Sequence, residues 1–247
     1  MGFEQMIQFM RQVQGKVNTG LMTSLQTQSN PQHVAFVKQL QKELSVKDSL
    51  TKPLNELKVV VFDFETTGFH PEQGDEILSI GAVKVKEGKV LLDESFYSLV
   101  RYDQKLTDEI KMLTGLQEEE LQQAPMLSNV LVQFFKYMQS DILVAHHATH
   151  ERKFIQHASW REFRSRFQHR IVDTSFLIRL AEPHLNLIQL EECCEHCGIE
   201  VKDRHHALSD AKMTAKLWNI YVEKVQKLGL RTLEEVYSHL PLIDRPQ

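Results

Sequence analysis

The pattern of apolar and polar positions changes near residue 58. From there the chain has a continuous apolar run, Val59-Val60-Val61-Phe62, which is typical of a strand buried on both faces. Residues 77–85 and 90–100 predict two further strands, and the polar Glu87-Gly88 pair between them predicts a hairpin turn. Short apolar runs at 142–145 and 171–172 predict two more strands.

Helical periodicity alternates with the later strands. Apolar positions spaced by three and four residues predict a long helix from Leu208 to Val225. Further helices are predicted at 106–113, after Pro125, at 154–167 and at 185–197. Strands that first pair as a hairpin and later alternate with helices indicate an α/β domain, with a mixed sheet flanked by helices.

Residues 1–56 differ in pattern and predict an N-terminal helical extension. Apolar positions within 1–10 share one helical face, and Asn30 predicts the N-cap of a second helix with Pro31 at its first position. The extension either packs on the domain as a helical hairpin or docks a protein partner or a second copy. We predict that the domain covers residues 57–228 and that residues 229–247 form a C-terminal helical tail.

Composition narrows the class of protein. The chain has 247 residues, 42% of them hydrophobic and 25% charged, which fits a globular protein. It has no run of 18 apolar residues, and Glu4 with neighbouring glutamines is unlike a signal peptide. Three cysteines crowd into 193–197, so we expect no disulfide framework and a cytoplasmic location. The net charge of −4 argues against a broad basic grip on a duplex.

Asp63 and Glu65 form the first candidate functional pair. Residues two apart in a strand point to one face, so both carboxylates project side by side from the strand end. Adjacent carboxylates raise each other's pKa, and such oxygen pairs suit Mg²⁺ or Mn²⁺. Two solvated acids, or acids paired with Arg or Lys, would produce the same pattern, and the pair alone leaves both interpretations open.

Two later segments add candidates. Glu151 follows His146-His147-Ala148-Thr149-His150 at a predicted strand-to-helix turn, where an acid also suits the helix dipole. Asp210 borders the apolar face of the last long helix and points toward the sheet. His205 precedes the first turn of that helix, and its imidazole has the pKa range of a general base.

The order of these segments resembles the DnaQ-like DEDDh 3′–5′ exonuclease family, which includes the proofreading exonuclease of bacterial replicative polymerases. VVVFDFETTGF resembles its first motif, and HHALSDAKMTAKL resembles its third, H-x-A-L-x-D-A. The resemblance covers roughly residues 57–226. The middle motif, H-N-A-x-F-D in the family, reads HHATHE here, so His147 replaces the asparagine and Glu151 replaces the aspartate.

The resemblance implies a ribonuclease H-like fold and hydrolysis assisted by two Mg²⁺ or Mn²⁺ ions. Asp63, Glu65 and Asp210 would hold one ion, Asp63 and Glu151 would support the second, and His205 would take a proton from the attacking water. Nucleic acid with a free 3′ end, expected to be single-stranded, would release nucleoside 5′-monophosphates. The expected substrate contacts are Thr66, Thr67, Phe69, His146 and His147.

Several alternatives stay open at this point. The substrate is expected to be DNA, but RNA or short oligoribonucleotides fit the same residues, and Glu151 also suits a weakly active binding or regulatory module. Cys193, Cys194, His196 and Cys197 suggest either a zinc site or, more simply, core packing. Trp160, Phe163 and Phe167 suggest either a shared core face or, with nearby arginines, a stacking surface for single strands.

Overall fold

The computed structural model describes residues 30–44 and 50–243, so the helix predicted within 1–10 lies outside the described residues. Five strands form one mixed sheet in the order β3-β2-β1-β4-β5. β1 pairs antiparallel with β2, which pairs antiparallel with β3, whereas β4 and β5 continue parallel on the other side of β1. The strands are β1 Val59–Thr66, β2 Ile77–Lys86, β3 Lys89–Leu99, β4 Ile142–Ala145 and β5 Ile171–Asp173.

Helices cover both faces of this sheet, which confirms the predicted architecture. The α-helices are α1 Pro31–Leu44, α2 Asp108–Thr114, α3 Glu118–Gln123, α4 Leu127–Met138, α5 Thr149–Phe163, α6 Thr174–Ala181, α7 Leu190–His196, α8 Ala207–Lys227 and α9 Leu233–Ile243. Short 3₁₀ helices occupy Leu54–Glu56 and Pro71–Gln73.

Side-chain alternation along β1 divides the core in two. Val59 and Val61 pack in one apolar cluster with Trp218 of α8, whereas Val60 and Phe62 pack in the other with residues of α4 and α5. Because alternate residues share a face, the carboxylates that follow at odd positions lie on the α8 side of the sheet. The path of β1 therefore places the acids where the last long helix crosses.

The second predicted helix of the extension, α1, packs on the domain. Asn30 caps it, since its side-chain oxygen accepts the Gln32 backbone N–H at 2.9 Å. Val37 and Leu40 are buried in the cluster that contains α4 and α5. The hairpin turn is also confirmed, because Glu87 and Gly88 both have positive φ, 51° and 70°.

Two helices differ from the pattern in the sequence. α5 starts at Thr149 and ends at Phe163, whereas the pattern predicted a helix at 154–167. Phe163 and Phe167 are buried, but Trp160 is 52% exposed, so the prediction of a shared core face was wrong for Trp160. α7 spans only Leu190–His196, and the residues from 185 to 189 precede it as a loop.

The cysteines support core packing rather than a zinc site. Cys193 and Cys194 are fully buried in the apolar cluster under α8, and all three thiols are free. Among the described residues, the metal-type cluster contains neither cysteine nor histidine. None of the described helices is both long and apolar enough to cross a membrane.

Candidate metal centre

Three carboxylates from distant parts of the chain meet beside β1. Asp63 and Glu65 project from the same face of β1, and Asp210 comes from the first turn of α8. One oxygen from each lies within 4.8 Å of the others. Glu65 and Asp210 are buried, whereas Asp63 keeps partial exposure. The structure thus brings together three of the predicted site residues, the two acids of the first motif and Asp210 of the third.

Asp210 reaches β1 because α8 approaches the sheet over a glycine. Gly81 on β2 is the register partner of Asp63. A Cβ at Gly81 would overlap the backbone of Ala207 and Leu208, at the start of α8. The sequence reasoning missed Gly81. The available signal was a lone glycine inside a strand pattern, which indicates close approach of another backbone.

Glu151, the fourth predicted ligand, lies outside the group of three carboxylates whose oxygens come within 4.8 Å of one another. It lies in the first turn of α5, is 4% exposed, and its Oε2 is buried without a hydrogen-bond partner. Burial raises the pKa of Glu151 well above its usual value, and the charge of Asp63 raises this pKa further. Glu151 therefore lies within electrostatic range of Asp63 and Glu65.

The turn that carries Glu151 is held by Asp173, which the sequence reasoning also missed. One Asp173 oxygen accepts the backbone N–H groups of His147 at 3.1 Å and Ser175 at 2.9 Å, and the other accepts that of Ala148 at 3.0 Å. This buried carboxylate joins the end of β5 to the start of α5. Its sequence signal was an acid at a predicted strand end followed by Thr174-Ser175.

The clustered acids disfavour one another's ionised forms. Burial raises the pKa of Asp63 and Glu65 well above their usual values, and charges within the cluster add to both shifts. Burial also raises the pKa of Asp210 to about 6, although Arg204 opposes this. Oδ1 of Asp210 and Oε2 of Glu151 are buried without hydrogen-bond partners. Buried carboxylate oxygens with unused lone pairs fit a hard divalent cation.

A basic residue already contacts this cluster. The Nη1 of Arg204 donates to Oδ2 of Asp210, and its Nε lies 3.0 Å from Oε1 of Glu191. Its charge opposes the rise in the pKa of Asp63 and Glu65. Arg204 was not singled out in the sequence, since an arginine before a loop histidine has no distinctive spacing.

His205 lies at the edge of the same site. Its φ of 62° is left-handed, and its backbone N–H donates to Oδ2 of Asp210 at 3.3 Å. Burial lowers the pKa of the His205 imidazole to about 4, and Arg204 lowers it further, while Glu191 opposes the shift. The ring is therefore neutral at physiological pH and able to accept a proton.

The loop after β1 is closed by its own polar groups. The Thr67 hydroxyl donates to Asp75 Oδ1 at 3.4 Å and accepts the Glu76 backbone N–H at 2.9 Å. Asp75 Oδ2 accepts the His70 backbone N–H at 2.8 Å. The Asp75 carboxyl fills the space that a Cβ at Gly68 would take. Gly68 therefore permits the tight loop, and Thr67 stabilises it.

Thr66 and Phe69, at the end of β1 and in the loop after it, both contact His150 of α5. The Thr66 hydroxyl donates to the Gly68 carbonyl at 2.7 Å and lies 3.3 Å from Nε2 of His150. The rings of Phe69 and His150 meet edge to face at 5.4 Å. His150 thus joins the two expected substrate contacts, Thr66 and Phe69, to α5.

His146 and His147 lie against a loop in this structure. Their Nε2 atoms are 3.0 and 2.5 Å from the carbonyl oxygen of Ile188, and Nδ1 of His146 is 2.8 Å from the Thr174 hydroxyl. Burial lowers the pKa of His146 to about 4, and His147 lowers it further. The pair therefore fastens the loop before α7 to the turn before α5.

Together, the mixed sheet and the acid cluster on its central strand define a ribonuclease H-like α/β protein with a metal-type site. The family model for RNase T, described as Exonuclease, matches residues 60–218, and the chain belongs to this family. The resemblance to DEDDh 3′–5′ exonucleases read from the sequence motifs is confirmed.

Relatives of this chain are much longer proteins. It is 32% identical over 181 residues to DNA polymerase III PolC-type of Caldanaerobacter subterraneus subsp. tengcongensis, covering 73% of this chain and 13% of that protein. It is 33% identical over 178 residues to 3′-5′ exonuclease DinG of Staphylococcus saprophyticus subsp. saprophyticus, covering 72% of this chain and 19% of that protein. The chain thus matches only a small part of these relatives.

Solved structures show the same fold at low identity. The nuclease domain of 3′hExo, a DEDDh family member bound to rAMP, aligns with a TM-score of 0.58 and 20% identity, covering 69% of this chain and 92% of that one. Exonuclease X in complex with 5′ overhanging duplex DNA aligns with a TM-score of 0.55 and 21% identity, covering 72% of this chain and 98% of that one.

Proposed function

We propose that this protein is a metal-dependent 3′–5′ exonuclease that removes nucleoside 5′-monophosphates from the 3′ end of DNA. The observation that carries the proposal is the meeting of Asp63, Glu65 and Asp210 within 4.8 Å, with Glu151 buried close by. A buried group of acids is electrostatically costly unless cations join it, and phosphodiester hydrolysis uses such cations. Membership of the exonuclease family supports the same reaction.

Two divalent ions, Mg²⁺ or Mn²⁺, fit the donor set. Asp63, Glu65 and Asp210 would hold one ion, and Asp63 and Glu151 would support the other. When bound, such ions supply Lewis-acid stabilisation of the charge that develops on the attacking and leaving oxygens. Glu151 replaces the family aspartate, so its carboxylate stands one methylene further from the backbone. Asp173 fixes the start of α5, from which this longer side chain extends.

His205 acts as the general base in this proposal. Its ring is neutral at physiological pH because burial and Arg204 lower its pKa to about 4. A neutral imidazole accepts a proton from the attacking water. The backbone N–H of His205 donates to Oδ2 of Asp210, which puts this residue at the rim of the cluster. In this proposal the neutral His205 takes up a proton, and the negatively charged acids of the cluster hold the cations.

The substrate is proposed to enter as a single strand with its 3′ end between the loop after β1 and α5. Phe69 and His150 present an aromatic pair to the terminal nucleoside, with Thr66 beside them. His146 and His147 border this entry through the Ile188 loop, so we propose that they shape the path. The net charge of −4 is compatible with contact confined to the 3′ end.

DNA is the proposed substrate because the sequence relatives include a PolC-type DNA polymerase III. Because α1 already packs on the domain through Val37 and Leu40, residues 1–56 are proposed to dock a protein partner or a second copy through their surface outside this contact. The free cysteines agree with a proposed cytoplasmic location.

A digestion assay tests this proposal. Single-stranded DNA and RNA oligomers of matched sequence, labelled at the 5′ end, are incubated with the full chain and Mg²⁺ or Mn²⁺, with and without a chelator. We expect a ladder shortened from the 3′ end, nucleoside 5′-monophosphate as product, faster DNA than RNA degradation, and no reaction with chelator. Asp210→Asn should abolish the ladder, whereas Asp93→Asn, an exposed residue on β3, should not.

Each contrary result has a distinct meaning. Faster degradation of RNA would replace the DNA assignment with an exoribonuclease. Binding of Mn²⁺ without nucleotide release would replace the enzyme with a binding or regulatory module. Full activity in the presence of chelator would overturn the metal assignment.

A further inference from the structure

The contact between Arg204 and Asp210 links a fixed positive charge to a proposed metal ligand. Arg204 is an arginine and stays charged at every physiological pH. Its side chain is 21% exposed, and its guanidinium reaches the Asp210 carboxylate, which is 5% exposed, and Glu191. A partly buried pair of this kind is screened less by water than a surface pair.

The same carboxylate is required by two cations. Oδ2 of Asp210 accepts from Arg204 and also from the His205 backbone, whereas Oδ1 has no hydrogen-bond partner. A divalent ion close to Asp63 and Glu65 gains most when the whole Asp210 carboxylate faces it. The positive guanidinium of Arg204 repels a divalent ion at this place. It also occupies one oxygen of the Asp210 carboxylate by a hydrogen bond.

Glu191 gives Arg204 a second partner. It lies on α7, and its Oε1 is 3.0 Å from Nε of Arg204. When Arg204 leaves Asp210, its charge remains paired with Glu191 instead of being left buried and alone. This alternative partner lowers the free-energy cost of freeing Asp210.

We propose that Arg204 is an internal cation that competes with the divalent ion for Asp210, and that Glu191 receives Arg204 when the ion binds, so that these two residues set the metal affinity of the site. The inference rests on the proposed metal-dependent function. Arg204 is here a positioning residue, since it acts through Asp210.

Titration with Mn²⁺ alone, by calorimetry on the full chain, measures this competition without any turnover. We expect Arg204→Gln to bind Mn²⁺ about tenfold more tightly, within the usual range of coupling between two sites. Glu191→Gln should bind Mn²⁺ more weakly than wild type, because Arg204 then has only Asp210 as partner. Arg161→Gln is the matched control, since Arg161 pairs with Glu76 and Glu162, and its Mn²⁺ affinity should equal wild type.

The double variant separates competition from a general charge effect. If Glu191 acts through Arg204, then Glu191→Gln changes nothing in an Arg204→Gln background. Independent, additive effects of the two substitutions would overturn the proposal, as would Mn²⁺ affinity in Arg204→Gln that equals or falls below wild type. Circular dichroism confirms folding, and Arg204→Met, which keeps the apolar stem, replaces the Gln variant if that variant unfolds.

The failure of this inference differs from failure of the proposed function. If wild type digests DNA with metal but the two substitutions are additive, only the role of Arg204 is wrong. If wild type binds no Mn²⁺, the metal-dependent function and the competition both fail.

Discussion

Gly81 on β2 packs directly against the backbone of Ala207, the first residue of α8. A Cβ at position 81 would overlap Ala207 and the following Leu208. Since Gly81 is also the register partner of Asp63, this contact sets how closely α8 approaches β1. The distance between Asp63 and Asp210, on which the metal-type cluster depends, is therefore set by a residue with no side chain.

Gly81→Ala is expected to lower nuclease activity at least about tenfold, because a shift of a catalytic group by about 1 Å can cost up to about a hundredfold. The added methyl group pushes the start of α8, and Asp210 with it, away from Asp63 and Glu65. Activity and Mn²⁺ affinity on the purified variant check this.

Val83→Ala is the control for Gly81→Ala. Val83 lies two residues along β2 on the same face and is fully buried, so its truncation costs about 0.5–3 kcal/mol of stability without crowding α8. We expect this variant to melt lower but to retain its activity below the melting point. Equal losses of activity in both variants would show that Gly81 matters only for stability.

His205→Ala is expected to slow nucleotide release by roughly 10²–10⁴-fold, the usual contribution of a general base, while leaving Mn²⁺ binding intact. The removed imidazole is a proton acceptor and not a member of the oxygen cluster. His184→Ala, an exposed residue of the loop before α7, serves as control and should behave as wild type. Wild-type turnover in His205→Ala would rule out the general-base role.

Glu151→Asp restores the residue type of the family motif but is expected to reduce activity roughly tenfold or more. The start of α5 is fixed by Asp173 through the backbone of His147 and Ala148, so the shorter side chain ends about 1.5 Å short of its position, one C–C bond. We expect the number of Mn²⁺ ions bound per chain to fall. An active Asp variant with undiminished Mn²⁺ binding would mean that the turn adjusts freely.

Asp173→Asn is expected to destabilise the protein by about 2 kcal/mol or more, because a carboxylate that accepts three backbone N–H groups becomes a weaker neutral acceptor. Activity should fall further than stability explains, since Glu151 depends on the same turn. Urea unfolding measures the first effect. Asp103→Asn, which removes an exposed ion pair with Arg101, should change stability by less than about 1 kcal/mol.

The pH dependence of stability isolates the cluster when metal is chelated. Asp63 has its pKa raised by burial and by the charge of Asp210, so its ionised form destabilises the folded state as pH rises through that pKa. Asp63→Asn never ionises, and it should melt about 2–4 °C above wild type at pH 8, equivalent to about 1 kcal/mol. The gain should shrink as pH falls, because the wild-type carboxyl then becomes protonated.

The quantity to measure is the difference in melting temperature between Asp63→Asn and wild type at each pH. His146 and His150 have pKa values lowered to about 4, so protonation below neutral pH destabilises the fold in both proteins and cancels in the comparison. A melting difference that does not fall as the pH is lowered from 8 would contradict the account of Asp63.

The sequence by itself determined the features that depend on neighbours along the chain. The period of two in β1 put Asp63 and Glu65 on one face, and the period near 3.6 in the last long helix put Asp210 toward the sheet. The motif order then indicated which acids belong together. These properties follow from local backbone geometry, which depends only on residues close together in the sequence.

Only the tertiary structure decided the rest. Gly81 permits the approach of α8, Asp173 fixes the turn of Glu151, and Arg204 lies on Asp210, each through contacts between distant segments. Trp160 is exposed although its helical face is otherwise buried, because the part of α5 that is covered depends on what packs beside it. Local periodicity fixes the direction of a side chain, but packing between elements fixes what that side chain meets.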